Sequence, residues 1–216
     1  MAAAEFSLTR FEEEPVMGII RGVREDALSG VMEAAIGAGL RFVEITLNTP
    51  NAPRLIEKTC RDYSLCVGAG TVLSVADAET AVSAGAQFLV SPTVKGDVAA
   101  FCRKQTIAYF PGAFTPTEIE TAWNAGAAMV KVFPASQLGP AYFKEVKGPF
   151  QDIRLMAVGG INRENVSQYL AAGASALALG GSIFSPDRMN NRQFALIRKD
   201  VEEFLLAVRG FYSKMV

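Results

Sequence analysis

A single lysine interrupts the apolar run AAMVKVFPA at residues 127–135: Met129 and Val130 precede Lys131, and Val132 and Phe133 follow it. In a strand, side chains alternate, so Met129, Lys131 and Phe133 share one face while Val130 and Val132 take the other. An ammonium group among large apolar neighbours loses hydration, which disfavours its charged form and enriches the free amine near neutral pH. A free amine attacks carbonyl carbon. The alternative is a lysine that reaches solvent or pairs with an acid.

A second charge breaks a β-branched run in RFVEITLNTP, where Phe42, Glu44 and Thr46 share a face. A carboxylate near a reactive amine can move protons through carbinolamine formation, dehydration and carbon–carbon cleavage. The competing reading is a buried ion pair of Glu44 with Lys131 or Arg21, although an ion pair alone is a weak route to stability. The chain has no histidine, which removes His-based triads, His–metal sites and an imidazole base. Proton transfer must fall to a carboxylate, Lys, Tyr, Cys or water. Cys60, Cys66 and Cys102 are odd in number and lack metal-type spacing, so reduced, mostly buried thiols are expected, with neither a disulfide framework nor a metal site.

Two glycine pairs complete the set. AVGGINRENV carries Gly159 and Gly160 toward a helix expected to begin near Arg163, and ALGGSIF carries Gly180, Gly181 and Ser182. Glycines let backbone N–H groups approach an anion closely, and together the pairs point to a phosphate on the ligand. Arg21, ending VMGIIRG, suits a carboxylate or phosphate, or compensates Glu44. A phosphorylated carbonyl compound is the expected substrate. Trp123, on an expected helix, reads as packing.

The elements that must position these groups alternate along the chain. Eight apolar runs (VMGIIRG, LRFVEITL, LCVGAGT, QFLVSP, TIAYFPG, AAMVKVFPA, IRLMAVGG and SALALGGS) are separated by helical stretches at 25–37, 51–61, 75–84, 95–104, 116–125, 140–147 and 163–172, with a last one at 193–209. Runs apolar on both faces with crossover helices imply a parallel sheet, and eight such units close a (β/α)8 barrel. Gly39, Gly85, Gly126 and Gly173 recur in a repeated small–Gly–small pattern before a strand, each expected to close a helix in the left-handed conformation. Residues 4–14 suggest an extra N-terminal helix covering the barrel bottom. In such barrels the chemistry sits at the strands' C-terminal ends, where Arg21, Glu44, Thr46, Thr71, Ser91, Pro92, Pro111, Gly112, Lys131 and both glycine pairs fall. There, at the end of the sixth run, Lys131 reads as a nucleophile.

The chain has 216 residues, half of them hydrophobic, which suits one domain over 1–216. A net charge of −1 with dispersed Lys and Arg leaves no footprint for nucleic acid. No apolar stretch reaches the roughly 18 residues of a membrane span, and MAAAEFSLTRFEEEP has no apolar leader core, so a cytoplasmic protein is expected.

Taken together, VEITLNTP, GAGTVL, FLVSP, PGAFTPTE, VKVFPA, GPF, VGGI and LGGS resemble, in collinear order over about residues 15–190, the motifs of the class I 2-keto-3-deoxy-6-phosphogluconate (KDPG) and 4-hydroxy-2-oxoglutarate (KHG) aldolases, including the 2-keto-3-deoxy-6-phosphogalactonate enzymes. The resemblance implies a homotrimeric barrel that works in the Entner–Doudoroff pathway with a Schiff-base lysine and neither metal nor other cofactor. Matched by motif, Lys131 forms the imine and Glu44 shuttles protons. Thr71, Pro92 and Phe133 line the pyruvate part, and Gly159, Gly160, Gly180, Gly181 and Ser182 hold the phosphate. Two positions depart from the gluconate pattern: Asn48 stands where many members have an arginine, leaving Arg21 to take that role, and Val158 stands where many have threonine. Both look closer to the galactonate type, while FTPTE and the C-terminal third look more like the gluconate type. Outside the resemblance stand a sugar-phosphate isomerase or epimerase and a catalytically silent scaffold.

Overall fold

The computed structural model describes residues 5–214. Its strands are β1 Val16–Ile20, β2 Phe42–Thr46, β3 Cys66–Gly70, β4 Phe88–Val90, β5 Ala108–Phe110, β6 Gly112–Ala113, β7 Val130–Val132, β8 Leu155–Val158 and β9 Ala176–Leu179. All pairs are parallel, in the order β5-β4-β3-β2-β1-β9-β8-β7-β6. β5 and β6 belong to one apolar run that breaks at Pro111, which has no N–H for the ladder. The first half bonds to β4 and the second to β7. The Ala128 N–H donates to the Tyr109 carbonyl at 2.8 Å and the Lys131 N–H to that of Pro111 at 2.9 Å, so the run spans the seam of an α/β barrel.

The helices are α1 Leu8–Glu13, α2 Glu25–Gly37, α3 Ala52–Asp62, α4 Val75–Ser83, α5 Gly96–Gln105, α6 Pro116–Asn124, α7 Ala135–Lys147, α8 Val166–Ala171, α9 Pro186–Asn190 and α10 Phe194–Tyr212. Four of them end where the glycine repeat predicts. Gly39, Gly85, Gly126 and Gly173 have φ of +99°, +95°, +93° and +95°. The residue after each one closes its helix with a bond to the carbonyl five residues back, as Leu40 does to Ala35 at 3.0 Å.

Three boundaries differ from expectation. α8 starts at Val166 instead of near Arg163 because the Asn162 side chain accepts from the N–H groups of Glu164 and Asn165, making a turn where the first helical turn would be. α7 begins at Ala135, five residues early, and kinks at Gly139 (φ +72°) before Pro140. α9 is additional; Ser185 caps it and Pro186 opens it, a start signal that its five-residue length hides.

The alternation of side chains sorts two apolar layers. Ile20, Val43, Ile45, Val67, Leu89, Val130 and Val132 face the helices. Met17, Ile19, Phe42, Cys66, Phe88, Val90, Phe110, Met129, Met156, Val158, Ala176 and Ala178 fill the barrel. Of the N-terminal helix expected over 4–14, residue 4 lies outside the described residues and the helix is the six-residue α1. Its Phe11 is fully buried, 4.9 Å from the Phe42 ring, and Phe6 packs 5.5 Å from Phe88 and 5.8 Å from Phe110. These rings fill the end where β2 and β4 begin. Among the described residues no helix is long and apolar enough to cross a membrane.

Candidate active site

Lys131 sits in β7 between Gly112 of β6 and Met156 of β8, pointing inward as Met129 does. It is 4% exposed, and its Nζ lies 5.3 Å from the centroid of the Phe133 ring. Burial pushes its amine below the ordinary lysine value of 10.5; the charge of Arg21 adds to this and that of Glu44 opposes it. Both the strand register and the loss of hydration therefore favour a free amine facing the barrel interior.

Glu44 sits in β2, 1% exposed, and neither carboxylate oxygen has a hydrogen-bond partner among the described residues. Burial raises its pKa above 4.5, while Lys131 and Arg21 pull it down. The competing ion pair does not form: no Lys131 or Arg21 nitrogen lies within 4.0 Å of a Glu44 carboxylate oxygen. An unpaired buried carboxyl is costly to keep, which makes it a candidate functional group.

Nine residues singled out from the sequence line one cavity of about 290 Å³: Arg21, Lys131, Phe133, Val158, Gly159, Gly160, Gly180, Gly181 and Ser182. Ile19, Phe184 and Pro186, which the sequence did not flag, complete its wall. Pro92 lines a neighbouring cavity of about 420 Å³ that shares Phe133. Glu44 and Thr71 line neither.

The glycine loops are braced from outside. The Gly159 carbonyl accepts from the Ser136 N–H at 3.0 Å, that of Gly160 from the Asn165 side chain at 2.9 Å, and that of Gly180 from the Phe184 N–H at 2.8 Å. The Ser182 hydroxyl donates to the Ile161 carbonyl at 3.1 Å, tying the two loops together. The N–H groups of Gly160, Gly181 and Ser182 donate to no acceptor among the described residues. Engaged carbonyls with free N–H groups make an arrangement suited to an anion.

On the far side, Thr71 holds a left-handed φ of +58°. Val72, next to it, is pinned at both ends: its N–H donates to Val90 at 3.1 Å, and its carbonyl accepts from the Ser91 hydroxyl at 2.6 Å. The Tyr109 hydroxyl donates in turn to Ser91 at 2.9 Å. The ends of β3, β4 and β5 are thereby locked around Thr71. The three thiols stay out of the site, and burial pushes Cys60 and Cys102 to about 11 and Cys66 to about 12.

Comparison with known proteins places this arrangement. A family model described as the KDPG and KHG aldolases matches residues 8–199. A probable 2-dehydro-3-deoxy-6-phosphogalactonate aldolase of Rhizobium meliloti is 36% identical over 81% of this chain and 84% of its own. A 2-dehydro-3-deoxy-phosphogluconate aldolase of Treponema pallidum is 38% identical over 83% and 85%. Among solved structures, KDPG aldolase of Legionella pneumophila with pyruvate captured as a covalent carbinolamine aligns with TM-score 0.82 and 27% identity, over 90% of this chain and 96% of that one.

Proposed function

Because the chain belongs to the KDPG and KHG aldolase family, we propose that this carbon–carbon lyase reversibly cleaves 2-keto-3-deoxy-6-phosphogluconate to pyruvate and glyceraldehyde 3-phosphate. The observation that carries the reading is the buried Lys131 amine on the cavity wall, inside the same barrel as the unpaired Glu44 carboxyl.

Lys131 Nζ attacks the C2 carbonyl, and the carbinolamine loses water to give a protonated imine. Glu44, directly or through water, takes the C4 hydroxyl proton; the C3–C4 bond breaks, its electrons form the enamine, and the aldehyde leaves. Protonation at C3 by Glu44 and hydrolysis then release pyruvate and the amine. The Gly159–Gly160 and Gly180–Ser182 loops hold the phosphate, fixing the distance from the far end of the substrate to Lys131. Arg21, Thr71, Pro92 and Phe133 receive the pyruvyl part. Borohydride added with pyruvate should leave a reduced adduct on Lys131; an unmodified Lys131, or an intact Lys131→Ala protein that turns over, would sink the scheme.

The galactonate epimer is the second reading, favoured by Val158 in the cavity wall and by Asn48, exposed just beyond β2. Turnover of the two phosphorylated epimers side by side decides between them. The frame is a single (β/α)8 domain, with 108–113 as its split fifth strand and the N-terminal helix over its bottom. A cytoplasmic homotrimer is the proposed assembly, in which Leu73 and Phe114, 47% and 40% exposed, supply apolar surface to cover.

A further inference from the structure

β3 carries glycine at two of its three inward positions, Gly68 and Gly70 beyond Cys66, and neither has a positive φ. Backbone conformation therefore does not call for them; the space they leave does. A β-carbon at Gly68 would stand 2.2 Å from the Phe88 ring. One at Gly70 would stand 2.3 Å from Glu44 Oε1 and 2.7 Å from its Cδ. Real β-carbons essentially never come closer than 3.0 Å to such atoms, so the carboxylate occupies the volume a side chain at 70 would take.

Among the described residues nothing else holds that carboxylate. Its oxygens accept no hydrogen bond, and the third atom near the missing β-carbon is the Thr46 methyl at 3.0 Å. That methyl is itself fixed, because the Thr46 and Thr49 hydroxyls are 3.1 Å apart and Thr49 accepts from the Gly22 N–H at 2.9 Å. Shape rather than hydrogen bonding sets where the acid stands.

We propose that Gly70 is a positioning residue for proton transfer: its absent side chain is the recess that seats the Glu44 carboxylate at the reacting carbons. The inference rests on the aldolase reading and on Glu44 as its proton carrier. A methyl at 70 pushes the carboxylate off line while leaving Lys131, on the β7 side of the barrel, free to form its adduct. Gly68 supplies the contrast, since a methyl there strikes a ring and not the acid.

The test follows deuterium entry into the pyruvate methyl by NMR, beside the endpoint of borohydride trapping on Lys131 and a thermal melt. Gly70→Ala should slow exchange about 100-fold, the low end of general acid–base effects, with trapping at the wild-type endpoint. Gly68→Ala should lower the melting temperature without a comparable loss of exchange per folded molecule. Glu44→Asp, one methylene shorter, should restore part of the exchange in the Gly70→Ala background. If Gly70→Ala does not fold, Gly70→Ala/Glu44→Ala should, because its methyl no longer meets a carboxylate. The proposal is overturned if Gly70→Ala exchanges at the wild-type rate, if Gly68→Ala loses exchange equally, if Glu44→Asp restores none, or if that alanine pair fails to fold. Absence of an adduct on wild-type Lys131 overturns the aldolase reading itself, and this inference with it.

Discussion

Lys131 and Glu44 lie within one barrel as an amine and an acid that do not pair: no nitrogen–oxygen distance between them is within 4.0 Å, and both carboxylate oxygens are without hydrogen bonds among the described residues. Burial moves the amine down and the acid up, and their attraction opposes both shifts. The net direction favours a neutral nucleophile. Adduct formation with pyruvate should therefore rise with pH along a limb whose midpoint lies below 10.5, because the amine protonates only as pH falls through its lowered value. Stopped trapping across a pH series reads it; a midpoint at the ordinary lysine value contradicts it.

Glu44→Gln should lower kcat by about 10²–10⁴, the span of general acid–base contributions. It should also stabilise the fold in a pH-dependent way. The folded-state pKa of Glu44 is raised, so the stability tied to its bound proton is full below 4.5 and is lost as pH rises through the folded value. Glutamine has no such loss. The variant should therefore gain on wild type as pH climbs from 4.5 through the folded value. Melting curves at several pH values would show a constant difference if the acid were instead well solvated.

Gly160 has φ +74°, and a β-carbon there would stand 2.5 Å from that of Ser136. Gly160→Ala should raise KM for the phosphorylated substrate about tenfold or more, the effect of roughly 1.4 kcal/mol of strain or lost contact. KM for unphosphorylated 4-hydroxy-2-oxoglutarate should barely move. Equal rises for both substrates would separate this loop from the phosphate.

Tyr109→Phe deletes the donor to Ser91 and with it one link in the clamp on Val72. A loss of about 0.5–1.5 kcal/mol in denaturant unfolding is expected. Because Thr71 is held left-handed beside that clamp, KM for pyruvate should rise as well. An unchanged KM would make the clamp purely structural.

Charges inside apolar runs were legible. Lys131 and Glu44 stand out because each breaks a hydrophobic pattern, and the repeat ending in Gly39, Gly85, Gly126 and Gly173 marked where helices stop. Less legible was whatever works by absence. Gly70 lies in plain view within GAGT, yet its value depends on a carboxylate from the preceding strand, and no local pattern encodes that contact. Ile19, Phe184 and Pro186 look like ordinary packing until the loops fold over them. The late start of α8 comes from side-chain bonds of Asn162 that compete with helix, and the seam at Pro111 comes from one missing N–H. Glu44 was expected either to act or to pair; the structure removes the pair.

The rings of Phe6, Phe11, Phe42, Phe88 and Phe110 close the barrel at the end where its strands begin. On the proposed chemistry substrate and products then share the opposite end, and traffic through it has an order. The aldehyde has to leave while pyruvate is still tethered to Lys131, and in the reverse direction pyruvate has to arrive first. An aldehyde that enters early stands between the keto acid and the amine, so abundant aldehyde should jam synthesis while leaving cleavage at low product untouched.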